Sequence, residues 1–126
     1  MYGYKRELTA PYEEVVQKTV DELKKEGFGV LTEIDVKATL KKKLNVDFDR
    51  YVILGACNPP FAYQSLQAEM DIGLLLPCNV IVYEQGGKTH VSAILPTVAM
   101  NMVQNEGLRD IAEQVEGKLK KVIDSI

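Results

Sequence analysis

The pattern of apolar residues predicts an α+β fold, a two-layer sandwich with about five mostly antiparallel strands and helices packed mainly on one face of the sheet. Three observations support this prediction. Strand-like and helix-like segments alternate over residues 2–70, two apolar runs then flank a turn at 85–87, and an amphipathic segment follows at 108–122. With 126 residues and 46% hydrophobic content, the chain can bury one core, so we expect a single domain over residues 1–126.

The first strand and the first helix are predicted within residues 2–27. Tyr2–Leu8 can form the strand, and Pro11 stands where a helix commonly begins. The helix has one apolar face at helical spacing, which consists of Tyr12, Val15, Val16, Thr19, Val20 and Leu23. Gly27 is suited to end this helix, and Phe28 can fold back onto its last turn.

A second strand and a short helix follow. Val30, Thr32 and Ile34 occupy alternate positions, which is typical of a strand, and Asp35 can cap the helix after it. The helix has an apolar stripe of Val36, Leu40 and Leu44. Four lysines, at positions 37, 41, 42 and 43, surround this stripe and are expected to form a solvated helix face.

The centre of the sheet is predicted at Tyr51–Ala56, because this run is nearly all apolar and fits a strand buried on both faces. A helix is expected from about Pro59 to Met70, with Asn58 as its N-cap. Leu74–Leu76 should then belong to the core.

The rest of the chain predicts a hairpin and a terminal helix. Residues 78–84 and 88–95 flank Gln85-Gly86-Gly87, which is a strong hairpin signal. Pro96 should end the second strand, and Val98–Val103 can form a helical turn. The terminal helix has an apolar face of Leu108, Ile111, Ala112, Val115, Leu119 and Val122.

Three blocks of sequence carry a family resemblance: Glu33–Leu40, Ile53–Pro60 and Asp71–Val80. Together they resemble the bacterial and archaeal family catalogued as domain of unknown function number 302, over essentially the whole chain. The resemblance implies an α+β domain that is often a homodimer, with no established activity to transfer. The family pattern places cysteine-asparagine pairs where Cys57-Asn58 and Cys78-Asn79 stand here.

These pairs supply the candidate site. Cys57 ends an apolar strand immediately before a predicted helix start, where free N–H groups favour negative charge and so favour a thiolate. If the two Cys-Asn turns lie side by side, they would form one polar, thiol-bearing pocket suited to a small anion or carboxylate. We therefore predict a small-ligand or anion-binding module with Cys57, Asn58, Pro59, Cys78 and Asn79 as ligand-binding residues.

Two alternatives remain open. Cys57 could instead be the catalytic residue of a thiol-dependent redox or sulfur-transfer protein, although the apolar strand before it would raise the thiol pKa. The chain could also be a purely structural homodimer in which both cysteines are inert. The sequence does not decide whether the protein is an enzyme.

No metal or cofactor is expected. Cys57, Cys78 and His90 are accepted zinc ligands, but their spacing forms no C-x-x-C or H-x-x-H pair and a fourth ligand is not evident. Gly86-Gly87 is a hairpin turn, and the chain has no glycine-rich phosphate loop.

Charge and hydropathy set the expected partners. The net charge of -3 gives no general attraction to nucleic acid, and no apolar run approaches the roughly 18 residues of a membrane span. The charged N-terminus and only two cysteines favour a cytoplasmic protein without a disulfide. Because the central strand and the hairpin are so apolar, a second copy of the chain is expected to cover the free face of the sheet as a homodimer.

Overall fold

The computed structural model describes residues 1–126 and contains one five-stranded antiparallel sheet. Its strands are β1 (Gly3–Leu8), β2 (Gly29–Asp35), β3 (Tyr51–Cys57), β4 (Cys78–Gln85) and β5 (Lys88–Ile94). They are arranged in the order β1-β5-β4-β3-β2, so that β1 and β2 form the two edges. Every neighbouring pair is antiparallel, and the predicted α+β sandwich is confirmed.

Five α-helices and three short 3₁₀ helices connect these strands. The α-helices are α1 (Tyr12–Lys25), α2 (Val36–Leu44), α3 (Pro59–Ala68), α4 (Pro96–Ala99) and α5 (Arg109–Asp124). The 3₁₀ helices are Met70–Leu75, Met100–Met102 and Glu106–Leu108. None of the helices combines the length and the apolar character needed to cross a membrane.

Helix α1 ends in a Schellman motif. Gly27 has a φ of 86°, its N–H donates to the Lys24 carbonyl, and the N–H of Phe28 donates to the Leu23 carbonyl at 2.9 Å. Phe28 is 2% exposed and belongs to the same core cluster as Leu23 of the helix. The motif turns the chain directly into β2, whose first residue pairs with Cys57.

The main core lies between one face of the sheet and helices α1 and α5. The sheet contributes buried residues from its three central strands: Val52, Leu54, Ala56, Val80, Val82, Val91 and Ala93. The two helices contribute Val15, Leu23, Ile111, Val115, Leu119, Val122 and Ile123. The confirmed apolar faces of α1 and α5 therefore account for most of the second layer.

The opposite face of the sheet, here called the open face, is only partly covered. One cross-strand row on it consists of Ile34, Ile53, Ile81, Ser92 and Lys5. A second row consists of Tyr51, Tyr83, His90 and Glu7. No residue of either row is buried, so the prediction that β3 is buried on both faces is wrong.

Two other local predictions differ from the structure. Asp35 does cap α2 by accepting a hydrogen bond from the Ala38 N–H at 2.9 Å, but no residue of α2 is buried and Leu44 is 66% exposed. The stripe on α2 is only partly covered, because the helix follows edge strand β2: Val36 and Leu40 are half-buried and Leu44 is exposed. Leu74 was expected in the core and is 88% exposed, whereas its neighbour Ile72 is buried in a small second cluster.

Candidate functional site

The pairing of β3 with β4 brings the two Cys-Asn segments together. Cys78 lies opposite Ala56, and Asn79 lies opposite Gly55. The C-terminal end of β3 therefore meets the N-terminal end of β4 at one corner of the sheet. This is the side-by-side arrangement on which the predicted pocket depended.

A cavity of about 300 Å³, here called the corner cavity, lies at this corner between the sheet and helices α3 and α5. Sixteen residues line it: Phe28, Leu31, Ala56, Cys57, Asn58, Phe61, Ala62, Ser65, Leu66, Leu76, Pro77, Cys78, Met100, Ile111, Ala112 and Val115. Three of the five predicted site residues, Cys57, Asn58 and Cys78, are therefore in its wall. Pro59 and Asn79 are not, and Asn79 is exposed at the start of β4.

The lining of the corner cavity is apolar, whereas the sequence predicted a polar pocket. Thirteen of the sixteen residues are hydrophobic, and none carries a formal charge. The difference arises because α3 and α5 turn their apolar sides toward the corner. The polar side chains of the lining are those of Asn58 and Ser65 alone.

Asn58 occupies the N-cap position of α3, but its side chain does not cap the helix. Its Nδ2 instead donates to the Glu26 carbonyl at 3.1 Å, so the residue joins the end of α1 to the start of α3. Asn58 is 9% exposed, and its Oδ1 receives no hydrogen bond within the protein. The amide oxygen is thus an acceptor without a partner in the protein, on a residue that lines the cavity.

The first turn of α3 does not form the expected anion site. Pro59 and Pro60 occupy its first two positions, and proline carries no N–H. The Ala62 N–H donates to the Asn58 carbonyl at 2.9 Å. Anion binding at a helix start depends on several free N–H groups, and this turn lacks two of them. The two prolines were visible in the sequence and could have shown this.

The two cysteines are both free thiols, and they differ in burial. Cys78 is 9% exposed and belongs to the main core, while Cys57 is half-buried. Burial, with a smaller contribution from the neighbouring Cys57, raises the pKa of Cys78 to about 11. Cys78 is therefore a neutral thiol at physiological pH.

No acid–base group accompanies the thiols in the corner cavity. The lining contains no histidine, lysine, arginine, aspartate or glutamate. His90, the only histidine, lies on the open face, where its ring stacks on that of Tyr83 at 4.8 Å. No group of three or more histidine, cysteine or acidic residues is placed to hold a metal ion.

The sequence reasoning missed an aromatic ladder on the open face. The rings of Tyr51 and Tyr83 stack with centroids 5.2 Å apart, and Lys5 lies 5.1 Å from the centre of the Tyr83 ring. The two-residue turn at Gly86-Gly87 could have identified part of it, because this turn sets Tyr83 opposite His90. A hollow of about 580 Å³ lies over the ladder.

Comparison with known proteins identifies the family. The family model described as Domain of unknown function DUF302 matches residues 4–126. A crystal structure of an uncharacterized conserved DUF302 protein from Bacillus stearothermophilus is 32% identical in sequence, with a TM-score of 0.93 over 99% of this chain and 98% of that one. No curated protein matches the chain. Because the family match spans almost every residue and the fold agrees with it, the chain belongs to the DUF302 family.

Proposed function

We propose that the protein is a small-ligand binding module and that the corner cavity is its binding site. Cys57, Asn58 and Cys78 form part of the wall, and Pro59 and Asn79 are the residues that follow Asn58 and Cys78 in the chain. The single observation that carries this proposal is the cavity itself, since about 300 Å³ lies at the lower end of the range for small-molecule sites.

The position of the cavity supports a binding role. It lies where two strand ends meet two helices, and buried residues of the main core, such as Cys78 and Val115, form part of its floor. Protein interiors are close-packed, and an apolar space of this size beside the core loses dispersion contacts. A ligand that fills the space would restore those contacts.

The test is a thermal-shift screen of neutral, anionic and cationic fragments against the protein and two variants. Ala62→Phe places a ring in the cavity, and Gln64→Phe places the same ring on the exposed side of α3. We expect the screen to find fragments that raise the melting temperature of the unchanged protein and of Gln64→Phe. The same fragments should not change the melting temperature of Ala62→Phe. The proposal fails if no fragment stabilises the protein, or if Ala62→Phe binds them equally well.

A second candidate function is assembly as a homodimer through the open face. The specific observation is the row of Ile34, Ile53 and Ile81 beside the aromatic ladder, on a face where these side chains are not buried. Lys5 and Glu7 lie on the same edge strand of this face, so a two-fold pairing can place a lysine of one copy against a glutamate of the other.

Sedimentation velocity tests the homodimer. We expect the protein to sediment as a dimer and Ile81→Lys to sediment as a monomer, because the substitution places a charge in the isoleucine row, next to Ile53. Gln17→Lys, on the exposed side of α1, is the matched control and should remain dimeric. A protein that is monomeric at all concentrations would exclude this assembly.

A thiol-dependent reaction at Cys57 has less support than ligand binding, because the lining supplies no base to activate a thiol. Both cysteines are free, which fits a protein that acts in a reducing compartment such as the cytoplasm.

A further inference from the structure

We propose that the ligand of the corner cavity is a neutral, mainly aromatic molecule that brings one hydrogen-bond donor, of the class of a phenol or a fused-ring alcohol. This inference rests on the proposed function and specifies its ligand. It replaces the anion expected from the sequence with a molecule of different chemistry, and it follows from three properties of the lining.

The first property is the absence of charge. No lysine or arginine lines the cavity to meet an anion, and no aspartate or glutamate lines it to meet a cation. An ionised group that leaves water without a partner loses far more hydration energy than an apolar site can return. Pro59 and Pro60 also deprive the nearby helix start of the N–H groups that could replace a counter-ion. The cavity therefore selects a neutral molecule.

The second property is the shape and polarisability of the apolar surface. Two phenylalanine rings, Phe28 and Phe61, and the sulfur atoms of Cys57, Cys78 and Met100 are among the lining groups. Aromatic rings pack favourably against other rings and against sulfur. The Cys78 thiol stays protonated at neutral pH because burial raises its pKa to about 11, so it adds no charge to the wall. These groups favour an aromatic body.

The third property is a side-chain acceptor without a partner in the protein. The Oγ of Ser65 donates to the Phe61 carbonyl at 2.8 Å, and one N–H of Asn58 Nδ2 donates to the Glu26 carbonyl. The Oδ1 of Asn58 receives no hydrogen bond within the protein, and the second N–H of Nδ2 makes none. A ligand hydroxyl can donate to this oxygen, so Asn58 Oδ1 is the acceptor for its hydrogen bond.

The entrance agrees with this chemistry. Leu31 and Leu66 line the cavity and are 67% and 36% exposed, so they form its apolar rim. Large exposed leucines at the mouth of a cavity favour the entry of an apolar molecule and offer nothing to a charged one.

The experiment compares three probes of matched ring system: 2-naphthol, which donates a hydrogen bond, naphthalene, which does not, and 2-naphthoate, which is an anion. The protein contains no tryptophan, so naphthol fluorescence can be followed without an indole background. We expect 2-naphthol to bind about fivefold tighter than naphthalene, which is the effect of one ordinary hydrogen bond, and 2-naphthoate to bind more weakly than either.

Asn58→Leu identifies the acceptor. The variant should bind naphthalene with the same affinity as the unchanged protein, which would show that the cavity persists. It should bind 2-naphthol no more tightly than it binds naphthalene. Because this change also removes the bond to Glu26, its melting temperature is measured alongside. If naphthalene binding is lost as well, the comparison is made with Asn58→Ser, which keeps a short hydroxyl in place of the amide oxygen and should weaken the preference.

The outcomes separate the ligand class from the binding function. Tightest binding by 2-naphthoate, or equal binding of 2-naphthol and naphthalene, overturns the ligand class but leaves the cavity as a binding site. Failure of all three probes overturns the ligand class, and the fragment screen then decides the proposed function. Equal binding of 2-naphthol by Ala62→Phe and by Gln64→Phe overturns the proposed function itself.

Discussion

The packing around Cys78 determines the chemistry of its thiol more than its place in the Cys-Asn pair does. It begins β4, yet its side chain points into the core and toward the corner cavity, beside Ala56 of β3. The sequence could place the cysteine at the start of a strand, but its burial depends on α5 and α3, which come from other parts of the chain. The consequence is a thiol that resists ionisation.

We predict that Cys78 makes stability fall with alkaline pH. Below about pH 9 the thiol is protonated in the folded and the unfolded chain. Between there and its folded pKa of about 11, the unfolded chain releases the proton while the folded protein keeps it, so unfolding becomes more favourable. The loss should approach about 2 kcal/mol. Urea unfolding of the protein and of Cys78→Ala across this range measures it.

Cys57→Ala is the control for this effect, because it removes the other thiol and should retain the alkaline loss. Tyrosines also titrate in this range, but they contribute equally to all three proteins, so the difference between the curves isolates Cys78. Curves that fall in parallel for the protein and Cys78→Ala would show that the thiol is not held in its neutral form.

At the scale of elements, features that depend on local sequence could be predicted, whereas features that depend on packing between elements could not. The hairpin of β4 and β5 and the end of α1 at Gly27 were predicted because turn chemistry is local. The exposure of α2 was missed, because an apolar stripe shows what a helix can bury and not whether another element lies against it. The polarity of the corner was missed for the same reason, since α3 and α5 supply its lining.

Glycines in two helical contexts provide a prediction at this scale. Gly27→Ala should destabilise the protein by about 1–2 kcal/mol, because the position has a φ of 86° and a Cβ there would lie 3.2 Å from Asn58 Nδ2. Gly117→Ala, at an exposed position of α5 with nothing within 4 Å of the new Cβ, should stabilise it by up to about 1 kcal/mol. Urea denaturation measures both.

We expect these two substitutions to change the free energy of unfolding in opposite directions, because, of the two glycines, only Gly27 has a left-handed backbone conformation. If Gly27→Ala is neutral, the Schellman motif does not hold the junction of α1, β2 and Asn58. Gly27→Ala should also weaken ligand binding in the corner cavity. Asn58 lines the cavity and donates to the carbonyl of Glu26, the residue before Gly27, so a shift of this junction displaces Asn58.

At the scale of the whole molecule, the two faces of the sheet have different roles. One face is sealed by α1 and α5 and contains the core, and the other leaves an isoleucine row and an aromatic ladder partly exposed. The layer arrangement could be predicted from the order of patterns, because few architectures bury one amphipathic helix face and one sheet face. The corner cavity could not be predicted, because its lining comes from five separate segments of the chain.

Filling the cavity tests whether it is open space in the folded protein. Ala62→Phe should raise the free energy of unfolding by about 1 kcal/mol, because the ring gains apolar contacts that the alanine lacks, while Gln64→Phe should change it by less than about 0.5 kcal/mol. Denaturant unfolding of the three proteins measures this. A gain in stability together with a loss of ligand binding would mean that the molecule keeps a space that costs it stability, as expected of a functional site. Destabilisation of Ala62→Phe by more than about 1 kcal/mol would instead indicate that the corner is already filled by its own side chains.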